Sequence, residues 1–448
     1  MSLLRVFLLS FFLISTLFSQ APGTWENTSF LPSPSSRNND GFFLNEHLGW
    51  AVNGAGQIHR TTNGGAAWVK VLDKGSSTHW RSVGFFDSLH GYAGALGIGE
   101  VNNPASTDTN ILYKTSNGGT TWVPEPQLSS SVIKRGFCGM QVVNDSVIVG
   151  VGRVRGPGWF YKTTNRGQTW TAKELSSIAP GLIDIYFTTP LTGWIVGLTN
   201  ITHANSSGIV LYTSDGGNTW SPQITTSRQG EWCWKIQFPT PDTGYISLQR
   251  NSLSPIYFLK TTDAGFTWEE KLFSNSYYFV QGMGFINGSL GWAGGNSANP
   301  MWQTTNGGET WSPLTLGRRV NRFRIINSHL AYAFGDSIYK YTAPFTSIQN
   351  ETAGEVPGYE LSNNYPNPFN PLTMIEFRLD KGSYITLRIY NNLGEIIRTV
   401  AEGYFEPGTH KRQWDGENEA AEPVPSGQYF YRIQGTGINE TKKMILLR

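Results

Sequence analysis

The 448-residue chain contains only two cysteines, Cys138 and Cys233. Two thiols cannot staple a chain of this size, so its stability must come from a buried core and not from a disulfide framework. Their spacing fits no zinc pattern, and C-x-x-C, H-E-x-x-H, P-loop and G-x-S-x-G sequences are all missing. The seven histidines are scattered, with none paired at ligand spacing. Neither a metal nor a cofactor is therefore expected. Charge is scarce: Asp, Glu, Lys and Arg make up 15% of residues and leave a net charge of +2. Such a balance gives no field for nucleic acid or anionic lipid. No segment sustains an i, i+3, i+4 apolar pattern, which excludes a helical solenoid.

One long apolar run exists. Arg5 precedes VFLLSFFLISTLF (6–18), and Ser19-Gln20-Ala21 follows. A positive start, a short apolar stretch and small residues at a cut site predict a secretory signal over residues 1–19. The run is short for a bilayer span. The mature chain is then expected to hold no transmembrane segment and to reside outside the cell or on its outer surface.

What is abundant is glycine, 51 residues, and tryptophan, 16. They are arranged in a repeat. TTNGGAAW (61–68), TSNGGTTW (115–122), TTNRGQTW (163–170), TSDGGNTW (213–220), TTDAGFTW (261–268) and TTNGGETW (304–311) recur at intervals of about fifty residues. A second phrase precedes most of them: LGWAVN (48–53), HGYAGA (90–95), TGWIVG (192–197), TGYISL (243–248) and LGWAGG (290–295). Each unit reads as four short strands separated by Gly/Asn/Asp turns, the pattern of one propeller blade. After Trp311 the segment 320–342 offers three strands but no closing Trp. GTWENTSFLPS (23–33) resembles the missing piece. Trp25 is therefore expected to supply the outer strand of the last blade, giving a seven-bladed ring over residues 20–342. Cys138 and Cys233 fall in blades 3 and 5, so both are expected as free thiols.

The six phrases resemble the Asp-box of sialidases, other propeller glycosidases and sortilin-type receptors. Asn63, Asn117, Asn165, Asp215, Asp263 and Asn306 hold its key position, closed by Trp68, Trp122, Trp170, Trp220, Trp268 and Trp311. Asx-Gly is a hairpin signal, and the Asx side chain can bond backbone amides two residues on. Four of the six are neutral amides, unable to act as acids or bases, so the phrase is expected to be structural. The GW and T-x-N/D-G-G-x-T-W pairs over about 39–342 resemble the propeller of photosystem II assembly/stability factors. That resemblance implies seven blades, no catalysis and a partner protein.

After a polar linker, 343–358, the style changes. Period-two alternation in Thr373–Leu379 and Ile385–Ile389, with turn residues between, predicts an Ig-like β-sandwich over 359–448. YPNPFNP (365–371), WDG (414–416), SGQYFYR (426–432) and KKMILLR (442–448) resemble the C-terminal sorting domain of type IX secretion substrates, close to the flagellar hook-cap Ig-like module. The resemblance implies export through that machinery, with residues 359–448 as the address. The fold class is thus all-β, a propeller followed by a sandwich.

Chemistry is harder to find. Aligning the innermost strands puts Asp40, Ser82, Gly139, Asp184, Lys235, Gly282 and Arg322 in one column around the axis, with Arg81, Arg135 and Arg324 nearby. Charges on apolar strands must be paired or wet. Arg81, Arg135, Lys235, Arg322 and Arg324 are therefore candidates for holding a carboxylate-bearing ligand, with ion pairs lining a wet channel as the other reading. Asp40 and Asp184, in blades 1 and 4, are the one inner-strand carboxylate pair available to a glycosidase. Three functions stand: a secreted, monomeric, non-catalytic propeller that binds a protein or glycan, an extracellular sialidase-like or xyloglucanase-like hydrolase, or a structural scaffold or adhesion module.

Overall fold

Each repeat folds as one antiparallel four-stranded sheet, with strands in chain order from the axis outward. The computed structural model describes residues 23–28, 36–99, 106–128, 135–295, 299–343, 358–391, 395–435 and 438–448. The expected leader and most of the expected linker lie outside these residues. The chain divides into two compact units, Met1–Thr346 and Ser347–Arg448.

In the first unit, blade 1 comprises Asn38–Phe43, Gly49–Asn53, Gln57–Thr61 and Val69–Asp73. Blades 2 to 6 repeat this order, with innermost strands Trp80–Phe85, Gly139–Val142, Gly181–Phe187, Glu231–Gln237 and Val280–Phe285. Blade 7 has Arg322–Asn327, Leu330–Phe334 and Ile338–Thr342, and its fourth strand is Thr24–Asn27. Trp25 pairs with Tyr341 and Asn27 with Tyr339, so the ring closes through its N-terminal strand. Innermost strands of successive blades touch, blade 7 against blade 1 included.

The aromatic of the GW phrase glues neighbouring blades. Trp50 of blade 1 stacks on Phe85 of blade 2 at 3.5 Å, and Tyr245 of blade 5 stacks on Phe285 of blade 6 at 3.5 Å. Across the closure, Phe43 stacks on Tyr332 at 3.9 Å. Large aromatic faces buried between sheets carry both area and geometric specificity. That explains a recurring Phe seven residues ahead of each GW aromatic.

All six Asp-box turns share one hydrogen-bond pattern. In the second, the Gly119 amide donates to Thr115 Oγ1 at 2.9 Å, and the Thr115 hydroxyl donates to Asn117 Oδ1 at 3.0 Å. The Thr121 amide donates to Asn117 Oδ1 at 2.9 Å. The Asx oxygen thus accepts from the amide four residues on, not two, because two left-handed residues intervene: Gly118 at φ 70° and Gly119 at φ 87°. Arg166 and Ala264 occupy the first of these positions in the third and fifth boxes at φ 56° and 59°. The closing tryptophans bridge blades, as Trp220 does between Phe160 and Phe187. Asn117→Ala removes three hydrogen bonds from one turn, including that from Asn117 Nδ2 to Thr121 Oγ1. It is expected to cost roughly 1–2 kcal/mol in urea unfolding while leaving ligand binding unchanged.

The second unit is a sandwich. One sheet orders Tyr359–Leu361, Thr373–Leu379 and Gly408–Trp414; the other orders Ile396–Phe405, Ser383–Tyr390, Gly427–Gly435 and Ile438–Leu446. Ile375, Phe377, Ile385, Leu387, Ile389 and Ile433 fill the space between them, the face that period-two alternation places inside. The tail phrases do structural tasks here. Phe369 packs on Trp414, and the Tyr431 hydroxyl donates to Ser362 O.

Candidate functional site

The axis is built by the innermost strands, four of which carry a β-bulge at the same level. The pairing skips Asn39, Arg81, Ile183 and Trp234, and blade 6 skips between Val280 and Met283. A bulge leaves one residue unpaired and re-aims its side chain. Asn39, Arg81, Trp234 and Gln281 all line one cavity of about 750 Å³ at the mouth of the axis. Arg37, His79, Arg155, Trp232, Gln249 and Arg319 join them. This cup opens at the starts of the innermost strands. The Asp-box turns follow the third strands and sit on the opposite face of the ring, so the repeated phrase and the cup are separated by the full length of a strand.

Four arginines line the cup, and no Asp or Glu does among its described lining residues. Trp232 and Trp234 lie parallel, 6.3 Å apart. Arg81 stacks over Trp234 and Arg155 over Trp232, at 5.7 and 6.0 Å. Stacking fixes each guanidinium plane without using up its hydrogen bonds. Trp232 Nε1, Arg81 Nε and Arg155 Nε are buried with no hydrogen-bond partner. The floor is held by a polar chain: Arg37 donates to Gln281 Oε1 at 2.6 Å, and Gln281 donates to Gln249 Oε1 at 2.7 Å. Burial, then the charges of Arg81 and Arg319, pull the Arg37 guanidinium down to about 9. Asp336 offsets part of this crowding through its ion pair with Arg319 at 3.3 Å, and an anion in the cup would relieve the rest.

His79 belongs to this floor and accepts from Asn39 Nδ2 at 3.1 Å through Nε2. Burial, then Arg81 and Arg37, pull its pKa down to about 3. The unfolded chain takes up this proton near pH 6.5 and the folded chain does not. Stability is therefore full above pH 6.5 and falls as pH drops from 6.5 toward 3. The loss should be of the order of 1–3 kcal/mol, and His79→Gln should flatten that part of a Tm against pH curve.

Just beneath the bulges lies the charged column. Arg322 donates both terminal nitrogens to Asp184, at 2.7 and 2.8 Å, and sets Nε 3.3 Å from Asp40. Arg324 donates to both Asp40 oxygens at 2.9 Å and to Gly41 O at 2.6 Å. The two carboxylates play matching parts: Asp40 accepts from the Val83 amide of blade 2, and Asp184 from the Ile236 amide of blade 5. Asp184 is 1% exposed and Asp40 0%. Burial pushes the Asp184 carboxyl up, but Arg322 and Lys235 outweigh it and hold it below the usual range. A general acid needs the opposite shift and an open approach. The nominated pair Asp40 and Asp184 therefore does not form a hydrolytic pair; a single guanidinium occupies the space between them.

The other candidates divide. Arg81 lines the cup. Lys235, Arg322 and Arg324 belong to the column beneath it. Arg135 joins neither; it stacks on Trp159 at 4.1 Å. The column consists of ion pairs between Arg322, Arg324, Asp40 and Asp184, with both carboxylates buried. Arg37, Arg155, Arg319, Trp232 and Trp234 were missed by that alignment. Arg37, Arg155 and Arg319 lie in connections ahead of strands and Trp234 sits on a bulge, where a strand register has no place for them; Trp232 is a paired position of its strand, opposite Gln249, one turn of the pleat above the aligned column. Cys138 and Cys233 are both buried and free. Among the described residues no group of His, Cys, Asp and Glu could hold a metal ion, and no helix is long and apolar enough to cross a membrane.

Ring, cup and sandwich define an all-β protein with a β-propeller and an Ig-like tail. A model of the FlgD Ig-like domain matches residues 373–437. Among curated proteins, the chain is 23% identical over 192 residues to the photosystem II assembly lipoprotein Ycf48 of Nostoc sp., covering 33% of this chain and 52% of that one. It is 23% identical over 208 residues to the photosystem II assembly protein Ycf48 of Thermosynechococcus vestitus, covering 45% and 51%. The chain thus spans about half the length of the curated relatives it matches. Among solved structures, YCF48 bound to D1 peptide superposes with a TM-score of 0.53 at 15% identity, over 72% of this chain and 98% of that one. A GH74 xyloglucanase from Xanthomonas campestris gives 0.52 at 12% identity, over 94% and 75%. At these identities both likenesses speak for the fold.

Proposed function

We propose that the propeller is a non-catalytic binding module whose cup receives a carboxylate-bearing segment of a partner protein. The cup carries this reading: four arginines, two of them stacked on parallel tryptophans, with no acidic side chain among the described lining. Guanidinium forks match carboxylates in two-point geometry, and the tryptophan faces accept the apolar parts of a chain segment. The peptide bound by the YCF48 neighbour supports a chain segment as occupant. The hydrolase reading has less behind it, because Asp40 and Asp184 are each committed to arginines. For cellular context, the apolar start of the chain and the FlgD-like tail support export, with residues 359–448 serving type IX secretion and the propeller acting as a monomer at or beyond the outer surface.

Fluorescence anisotropy with the mature chain, residues 20–448, tests the binding. Acidic twelve-residue peptides are expected to bind, with affinity falling as salt rises. Neutral and basic versions of the same peptides should not bind. Arg81→Ala and Arg155→Ala should each weaken binding by roughly tenfold or more. Equal binding of acidic and basic peptides, or full affinity in both variants, would overturn the reading. Uptake of acidic oligosaccharides alone would move the ligand to the glycan class.

A further inference from the structure

The column beneath the cup leaves one cation over. Asp40, Asp184, Arg322, Arg324 and Lys235 form a single buried network with two carboxylates and three cations. Both carboxylates are fully used by the arginines and by backbone amides. Lys235 is the surplus. Its ammonium lies 3.9 Å from Asp184, too far for a hydrogen bond, and the residue is 2% exposed. Lys235 Nζ has no hydrogen-bond partner, nor does Ser82 Oγ at the same level of the blade 2 strand. A buried ammonium with three unused donors is costly unless something neutralises it. Burial, then Arg322, pull the Lys235 amine down to about 7.

Arg81 belongs to the cup and approaches the network only through Cys138, its Nη2 3.4 Å from Cys138 Sγ. Two of the seven positions at this level, Gly139 and Gly282, carry no side chain. A Cβ on Gly139 would stand 2.7 Å from Asp184 Oδ1, so glycine there keeps Asp184 in place beside Arg322.

We propose that the propeller axis holds a structural inorganic anion of chloride size and single charge, bound by Lys235 Nζ. One monovalent charge balances the surplus in the network. A dianion would face Asp184, which already stands 3.9 Å from the amine. The site is separate from the cup's ligand and serves to fasten blade 5 to the axis.

The test uses the mature chain, melted in sodium chloride and in sodium gluconate at equal ionic strength; gluconate is too large for the axis, and because its carboxylate can enter the cup, the same two melts of Lys235→Met serve as the baseline. Chloride at one hundred times its dissociation constant should raise Tm by about 4 °C. The rise should vanish in Lys235→Met and persist in Arg155→Ala, which changes only the cup. Should Lys235→Met fail to fold, crystals of the unaltered protein soaked in bromide provide the second reading. An anomalous peak within hydrogen-bond distance of Lys235 Nζ is expected. Equal melting in the two salts with no peak there, or a peak confined to the cup, would overturn the proposal.

Discussion

Arg322→Met is expected to destabilise the propeller by about 3–5 kcal/mol, since it strands the buried Asp184 carboxylate and removes one of the two guanidinium groups beside Asp40. Asp184 loses its two-point partner, and Asp40 keeps only Arg324. Urea unfolding followed by tryptophan fluorescence measures the loss. The double variant Arg322→Met, Asp184→Asn should be less damaged than the sum of its parts, because the asparagine removes the charge that the first change leaves unpaired. Strict additivity would mean that the pair is not coupled and that the column is mere filling. Acid should act along the same line. The folded Asp184 carboxyl sits below its ordinary value of 3.8, so its contribution is present above that pH. It is lost as pH falls through the folded value. Asp184→Asn should remove that part of the acid sensitivity and leave the His79 part, higher in pH, intact.

Deleting residues 20–28 is expected to be the most damaging change outside the axis. The strand Thr24–Asn27 completes blade 7, and Trp25 packs at 5.0 Å on Trp292 and at 5.4 Å on Tyr341. Its removal exposes the edge of Ile338–Thr342, a row of unpaired amides and carbonyls that invites aggregation. The shortened chain should lose its cooperative melt or recover only as oligomers in size-exclusion chromatography. Trp25→Ala, which keeps the backbone pairing, should cost roughly 2–3 kcal/mol. A deletion that melts like the full chain would show that the ring holds without its clasp.

The ring could be read from sequence because each blade restates the same solution. The Asx-Gly turn, the GW aromatic and the facing Phe each answer one local demand, and six near copies make the period plain. Even the clasp was legible, since blade 7 lacked a closing Trp and Trp25 had no blade of its own. The column was legible as a set of positions but not as chemistry. Alignment placed Asp40 and Asp184 in blades 1 and 4 without showing that one arginine reaches both. The cup was largely hidden. Bulges at Arg81 and Trp234 shift side chains out of the period-two register on which strand alignment relies. Arg37, Arg155 and Arg319 lie in connections, where no pattern assigns a direction.

The clasp also sets a timetable. The strand made first at the ribosome finds its partner only after residue 342 has been synthesised, so nearly the whole circle must exist before it can shut. Such distant pairing slows folding, and an incomplete chain is left with an open seam. A nascent or truncated copy would thus stay pliable and open to proteolysis, whereas a finished one locks.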